Sequence, residues 1–245
     1  VSGLGRAALI AHPESILTES QHAAFQAAVG RRRAGEPIAY VIGERGFHDL
    51  TLKVTSDVLI PRPETELLVD FALERLPRGG TLLDLGTGSG AIALAVKQQR
   101  PDVRVTAVDR SGEALSVARG NAADHRLEVE FLEGDWFSPL GGRSFDVVAS
   151  NPPYIAEGDR HLGEGDVRFE PRAALVGGAD GLAAIRGICV ESPGYLRHGG
   201  WLCVEHGQGQ DAAVRECFQR AGLESVASHP DLAGIARIVI GCRAS

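Results

Sequence analysis

The sequence of 245 residues predicts an α/β protein built on a doubly wound, mostly parallel sheet. Short apolar runs bounded by glycine, aspartate or proline are typical of strands that are buried on both faces. Such runs occur at residues 82–85, 103–108, 127–132, 145–149 and 201–204. Helical patterns lie between them, near residues 90–99, 112–123, 180–196 and 210–221. This alternation of strand and helix is typical of the doubly wound architecture.

The N-terminal residues 1–45 are predicted to form a small helical domain. A helix at 18–34 begins with a capping box formed by Thr18 and Gln21, and it carries an apolar stripe that includes Phe25. Residues 46–63 follow as a linker, and residues 64–245 form the main domain.

The predicted linker contains a small β-hairpin. Apolar and polar residues alternate from 46 to 55 around His48 and Asp49, as in two short strands joined by a turn. Pro61 and Pro63 then fix the direction in which the chain enters a helix. The apolar residues of that helix are Leu67, Leu68, Phe71 and Leu76.

The C-terminal segments 224–228 and 235–240 are predicted to form the last two strands. Only a few residues, with His229 and Pro230 among them, separate the two segments. A parallel pair needs a crossover of a dozen or more residues, so we expect these strands to pair antiparallel.

Composition and charge indicate a folded protein outside the membrane. Lys and Arg number 25 against 32 Asp and Glu, which gives a net charge of −7 and no basic footprint for nucleic acid. Neither a membrane-spanning run nor a signal peptide is present, which predicts a cytoplasmic location. The 4 cysteines lack C-x-x-C spacing, which favours reduced thiols over a metal site. Because the chain opens at Val1 and contains no methionine, we expect that it is shortened at its N-terminus.

A glycine-rich turn follows the first buried strand and precedes the first crossover helix. Glycine lets the backbone approach a ligand closely, and the helix start offers free N–H groups. The G-x-G-x-G spacing differs from the G-x-G-x-x-G of dinucleotide binders, and it favours a sugar or amino acid as the nearest part of the ligand. A purely structural turn is the alternative. The candidate binding residues are Gly86, Thr87, Gly88, Ser89 and Gly90.

Polar residues at the ends of the next two strands point to the same edge of the sheet, where open α/β sheets bind ligands. Asp109 ends the second strand and could accept both hydroxyls of a ribose, or else cap the helix that begins near Ser111. Asp135 and Trp136 follow the third strand. They could meet an adenine, although a turn cap and ordinary core packing are their alternative roles.

Together these features resemble the class I S-adenosylmethionine-dependent methyltransferases. The resemblance implies a Rossmann-like sheet of seven strands with an antiparallel last strand, in agreement with the pairing expected at the C-terminus. It also implies S-adenosyl-L-methionine as the cofactor.

The fourth strand ends in the motif Asn151-Pro152-Pro153-Tyr154. The Asn151 side chain and the Pro152 carbonyl could accept both hydrogens of one NH2 group, with Tyr154 packed against its plane. Such an arrangement would orient a nitrogen that is a poor nucleophile because its lone pair is delocalised. The NH2 group could belong to a nucleobase or to a glutamine side chain.

Three longer stretches resemble the HemK/PrmC family of release factor glutamine methyltransferases. They are residues 33–40 with Gly43 and Phe47, residues 59–66, and residues 166–175 with 205–207. The resemblance implies methylation of the glutamine in the Gly-Gly-Gln motif of bacterial peptide chain release factors. It implies that the residues from Asn151 to Tyr154 hold the glutamine, and that Gly86 to Gly90, Asp109 and Trp136 hold the cofactor. We also expect Asp135 and Asn151 among the cofactor-binding residues. We expect a monomer without direct contact to nucleic acid or membrane.

Two other functions compete with this interpretation. A nucleic-acid methyltransferase acting on adenine N6 or guanine N2 would use the same motif on a flipped base, but it would need a basic surface. A non-enzymatic cofactor-binding scaffold would have no need of the Asn151 motif.

Several charged residues stay ambiguous at this stage. Arg62 and Glu66 could line the substrate entry or pair with each other. For Glu205 and His206 we expect structural support rather than proton transfer. Residues 31–33 are expected to form a solvated helix end.

Overall fold

The computed structural model describes residues 6–12 and 14–245, and it begins with three helices. They are α1 (Arg6–Ala11), α2 (Glu19–Arg33) and α3 (Ile38–Ile42). The predicted capping box is confirmed, because Thr18 Oγ1 accepts from Gln21 N at 3.2 Å and Thr18 N donates to Gln21 Oε1 at 3.0 Å. The expected apolar stripe of α2 is not covered by the described part of the chain, and Phe25 is 48% exposed.

The β-hairpin is confirmed. Strand β1 (Glu44–Phe47) pairs antiparallel with β2 (Leu50–Lys53), and Phe47 lies opposite Leu50. The turn places His48 at a positive φ of 46°. Helix α4 (Pro63–Arg75) then begins with a proline in its first turn, where the missing N–H has no intrahelical partner to lose.

The main sheet has seven strands in the order β5-β4-β3-β6-β7-β9-β8. Strands β3 to β7 pair in parallel, whereas β9 runs antiparallel to both of its neighbours, β7 and β8. The doubly wound fold and the antiparallel C-terminal pair are therefore confirmed. The elements from the first strand onward are β3 (Thr81–Leu85), α5 (Ala91–Gln99), β4 (Arg104–Asp109), α6 (Gly112–His125), β5 (Glu130–Glu133), β6 (Phe145–Ser150), α7 (Arg172–Leu175), α8 (Ala183–Tyr195), β7 (Leu196–Glu205), α9 (Asp211–Arg220), β8 (Glu224–Pro230) and β9 (Ala236–Cys242).

Two strands begin three or more residues away from the predicted position. Strand β7 begins at Leu196 rather than residue 201, and β5 begins at Glu130 rather than residue 127. Gly199 and Gly200 interrupt the apolar pattern in the early part of β7. The pattern therefore did not indicate that the strand begins earlier, where Leu196 pairs with Phe145.

Hydrophobic side chains cover both faces of the sheet. Successive residues of β3 point to opposite faces. Accordingly, Leu82 joins a core with the hairpin, α4 and α5, while Leu83 joins a core with α8 and α9. This double coverage explains the continuous apolar pattern of β3 and positions the carboxyl ends of the parallel strands at one edge.

The described helices include none that is long and apolar enough to cross a membrane. Cys189 and Cys203 are buried free thiols, and Cys217 and Cys242 are partly exposed free thiols. Among residues 6–12 and 14–245, no group of His, Cys, Asp and Glu side chains is arranged to hold a metal ion.

Candidate active site

The glycine-rich turn joins β3 to α5 with three left-handed glycines. Gly86, Gly88 and Gly90 have φ values of 73°, 56° and 86°, a region that other residues rarely adopt. A Cβ on Gly90 would also lie 3.0 Å from Leu94 Cδ1. The backbone conformation of the turn therefore requires glycine at these three positions.

Asp84, at the end of β3, supports this turn from inside the protein. Its Oδ2 accepts from Thr87 Oγ1 at 2.6 Å and from Ala93 N at 3.2 Å. Burial raises the pKa of Asp84 to about 7. Since Asp84 does not line the cavity described next, we interpret it as a support of the turn.

A cavity of about 490 Å³, here called the larger cavity, lies at the carboxyl ends of the parallel strands. Its volume is within the range of small-molecule sites. It brings together most of the predicted binding residues, but Gly90 does not line it and instead forms the N-cap of α5. The predicted residues that line it are Gly86, Thr87, Gly88, Ser89, Asp109, Asp135, Trp136, Asn151 and Pro153.

The carboxylate of Asp109 connects two loops at the rim of the larger cavity. Its Oδ2 accepts from Gly88 N at 2.9 Å, and its Oδ1 accepts from Ser111 N at 3.0 Å. The cap of α6 is provided by Ser111, whose Oγ accepts from Ala114 N at 3.0 Å. Each oxygen of Asp109 keeps further acceptor capacity for a ligand hydroxyl.

Trp136 is held in an unusual backbone conformation beside the glycine-rich turn. Its φ is 45°, and its indole lies 3.6 Å from the position that a Cβ on Gly86 would occupy. The half-buried ring also packs against the core on the α8 side. Trp136 therefore both packs against the core and lines the larger cavity.

Asn151 lies where two cavities meet. It lines the larger cavity and also a second one of about 160 Å³, here called the smaller cavity. Pro152, Tyr154 and Arg62 line only the smaller cavity, whereas Leu59 and Ala174 line both cavities as Asn151 does. A group in the smaller cavity and a ligand in the larger one would therefore both lie next to Asn151.

A chain of hydrogen bonds holds the Asn151 motif, and it passes through Thr65, which also lines the larger cavity. Asn151 Nδ2 donates to Thr65 Oγ1 at 3.1 Å, and Thr65 Oγ1 donates to Glu205 Oε2 at 2.7 Å. Tyr154 Oη donates to Glu205 Oε1 at 3.3 Å. Thr65 belongs to the family-like stretch 59–66, but its contact with Asn151 has no local sequence signal.

Arg62 and Glu66 do not pair with each other. Arg62 forms an ion pair with Glu170, whose buried carboxylate also accepts from Ile60 N at 3.1 Å. Glu66 Oε1 instead accepts from His48 N at 2.9 Å. Arg62 therefore lines the smaller cavity, whereas Glu66 holds the hairpin turn.

The other ambiguous residues have structural partners. Buried His206 has Nδ1 at 2.8 Å from Gly207 O, and burial lowers its pKa. At the end of α2, Arg31 pairs with Glu36 and Arg32 pairs with Asp166.

Comparisons with known proteins agree with this geometry. Residues 63–165 match the family model of the methyltransferase small domain, and residues 1–43 match that of the PrmC N-terminal domain. The crystal structure of a methyltransferase from Pyrococcus furiosus is 20% identical, covers 90% of this chain and 98% of its own, and superimposes with a TM-score of 0.62. Fold and site together define a class I methyltransferase.

Relatives with higher identity specify the family. A release factor glutamine methyltransferase of Xylella fastidiosa (strain 9a5c) is 49% identical over 239 residues, covering 96% of this chain and 87% of the relative. One of Vibrio cholerae is 47% identical over 241 residues, covering 96% and 84%. The chain belongs to the family of release factor glutamine methyltransferases.

Proposed function

We propose that this enzyme transfers a methyl group from S-adenosyl-L-methionine to the side-chain amide nitrogen, N5, of the glutamine in the Gly-Gly-Gln motif of peptide chain release factors. The observation that carries the proposal is the position of Asn151 between the larger and smaller cavities. A methyl donor in one cavity and an amide in the other would meet at this residue.

The larger cavity fits the methyl donor. The glycine turn allows a ligand to approach the backbone, and the Asp109 carboxylate offers acceptors for ribose hydroxyls. Asp135 and Trp136 line the same cavity, and the adenine would bind beside them. The bound cofactor supplies an electrophilic methyl sulfonium, while the protein residues orient the two reactants.

The Asn151 motif addresses the weak nucleophilicity of an amide nitrogen. Because Nδ2 of Asn151 donates to Thr65, its Oδ1 is the atom left to accept from the substrate NH2. The Pro152 carbonyl would accept the second hydrogen, and Tyr154 would pack against the amide plane. Fixed acceptors align the nitrogen with the methyl group and favour the positive charge that develops on it. The methylated nitrogen is acidic and loses its proton late, so the reaction needs no strong base.

The release factor is the proposed macromolecular partner, and its Gly-Gly-Gln loop would enter through the smaller cavity. We further propose that the enzyme works in the cytoplasm as a monomer, without direct contact to nucleic acid. The net charge of −7 supports the last point, because a nucleic-acid methyltransferase needs a basic surface to deliver the base.

The substrate is tested by incubating the enzyme with labelled S-adenosylmethionine and three acceptors in parallel. These acceptors are a release factor, the same factor with its Gly-Gly-Gln glutamine replaced by alanine, and DNA. We expect label on the unaltered factor alone. Label on DNA would instead identify a nucleobase methyltransferase, and label on the alanine variant would place the methyl group on another residue.

Replacing Asp109 with alanine is expected to weaken cofactor binding first. Charge-assisted hydrogen bonds to a carboxylate are worth about 1.5–3 kcal/mol each, so the dissociation constant should rise tenfold or more. Calorimetry with S-adenosylhomocysteine measures the change.

The variant Asp102→Ala is a matched control for this measurement. The Asp102 carboxylate also accepts from a backbone amide, Gly79 N at 2.7 Å, but it lines neither cavity, so its loss should affect stability with little effect on affinity. An unchanged dissociation constant in Asp109→Ala would place the ribose elsewhere.

A further inference from the structure

Glu205 is a buried carboxylate at the end of β7, directly behind the Asn151 motif. The residue is 1% exposed, and each of its oxygens accepts a hydrogen bond from a different element. Oε2 accepts from Thr65 of α4, and Oε1 accepts from Tyr154, which follows β6. Burying a carboxylate costs free energy, so packing alone does not explain why Glu205 lies at the centre of this network.

An ionised carboxylate fixes the direction of every hydrogen bond in the network, because it can only accept. Thr65 has a single hydroxyl hydrogen, and that hydrogen is donated to Glu205. Thr65 Oγ1 can therefore only accept from Asn151, so the Asn151 side chain must turn its NH2 group toward Thr65. Its carbonyl oxygen, Oδ1, is then directed away from Thr65.

We propose that Glu205 is a positioning residue that acts through Thr65 to orient the Asn151 amide, so that Oδ1 rather than Nδ2 meets the substrate NH2. This inference rests on the proposed function. A flipped Asn151 would present two donors to a substrate that itself offers donors, and the substrate amide would lose its acceptor. Glu205 also holds the Tyr154 hydroxyl, so both ends of the motif depend on the same carboxylate.

The surroundings of Glu205 make this device sensitive to pH. Burial, with a smaller contribution from the nearby Glu64 of α4, raises the pKa of Glu205 to about 7. The bonds from Thr65 and Tyr154 and the charge of Arg237 on β9 oppose this rise, although Arg237 is itself paired with Asp231. Below its pKa the carboxyl group is neutral and carries a hydrogen of its own. It then no longer obliges Thr65 to donate, and the orientation of Asn151 is lost.

The first test compares the 245-residue chain with its Glu205→Gln, Thr65→Val and Thr65→Ser variants on an intact release factor. Misplacing a reacting group typically costs on the order of 10²-fold in rate. We expect kcat to fall by about that factor in Glu205→Gln and Thr65→Val. Glu205 lines neither cavity, so Glu205→Gln should retain its affinity for S-adenosylhomocysteine. Thr65→Ser keeps the hydroxyl and should restore most of the rate.

Two readouts distinguish orientation from general damage to the fold. The double variant Glu205→Gln with Thr65→Val should be no slower than either single variant, because all three break one chain of bonds. The wild-type kcat should rise with pH through about 7, and this rise should disappear in Thr65→Val, where the connection is already broken. Glu64→Gln, a matched change at a neighbouring carboxylate, should keep the wild-type plateau rate.

The outcomes separate this proposal from the proposed function. Wild-type enzyme that leaves the release factor unlabelled would overturn the function itself. An active wild type with unchanged kcat in Thr65→Val, or with a deficit that Thr65→Ser does not relieve, would overturn the role of Glu205. If Glu205→Gln fails to fold, the two Thr65 variants and the pH profile decide the question alone.

Discussion

Replacing Asn151 with alanine is expected to abolish most methyl transfer while leaving cofactor affinity largely intact. The side chain provides an acceptor for the substrate amide, and losing one well-placed transition-state hydrogen bond typically costs about 10²–10³ in rate. Single-turnover assays with a release factor measure the rate, and calorimetry with S-adenosylhomocysteine measures the affinity. A variant that retains the wild-type rate would contradict the mechanism.

The neighbouring residue Ser150 offers a matched control for Asn151. Its hydroxyl donates to the Leu85 carbonyl at 2.8 Å within the sheet and does not line either cavity. Ser150→Ala should therefore lower stability slightly and leave methyl transfer close to that of the wild type. A comparable loss of rate in both variants would indicate that disturbance at the strand end, rather than a lost acceptor, slows the reaction.

Replacing Arg62 with alanine is expected to destabilise the fold and to disturb the smaller cavity. The Glu170 side chain is 0% exposed, so removing its cation leaves a buried carboxylate without charge compensation. Breaking a buried pair in this way costs about 3–5 kcal/mol, and we expect the lower end because Arg62 is 31% exposed. Urea unfolding measures the free energy, and a rise in KM for the release factor should accompany the loss.

An exposed ion pair provides the comparison for Arg62. Arg143 and Glu130 lie 2.6 Å apart with side chains 48% and 46% exposed. Surface pairs of this kind contribute about 0–1 kcal/mol, so Arg143→Ala should be nearly neutral. Equal destabilisation by the two substitutions would show that burial of Glu170 has no special cost.

The sheet and the glycine-rich turn could be predicted because their signals are local. A strand covered on both faces has a continuous apolar pattern, and three left-handed positions in one turn demand glycine at each of them. The antiparallel C-terminal pair followed from the short connection between its strands. The position of β9 between β7 and β8 had no such signal, since it depends on which sheet edge was already occupied.

The supports of the site were missed for a different reason. Thr65 and Glu205 are 140 residues apart in sequence, and Arg62 and Glu170 are 108 apart. Such contacts arise only when α4 and the 155–175 segment pack beside the strand ends, so no spacing rule reveals them. Local patterns indicated most of the predicted residues that line the larger cavity, whereas the residues that hold them in place emerged from the tertiary structure.

The position of β9 has a consequence for the order in which the protein is completed during synthesis. Strand β9 leaves the ribosome after both β7 and β8, yet it lies between them and pairs with each. Until residues 236–242 have emerged, β7 has an open edge and β8 has no partner in the sheet. Such an edge is a template for pairing with other chains. The nascent protein thus keeps an open β7 edge until β9 inserts, and Glu205, on β7, obtains its neighbour Arg237 only at that step.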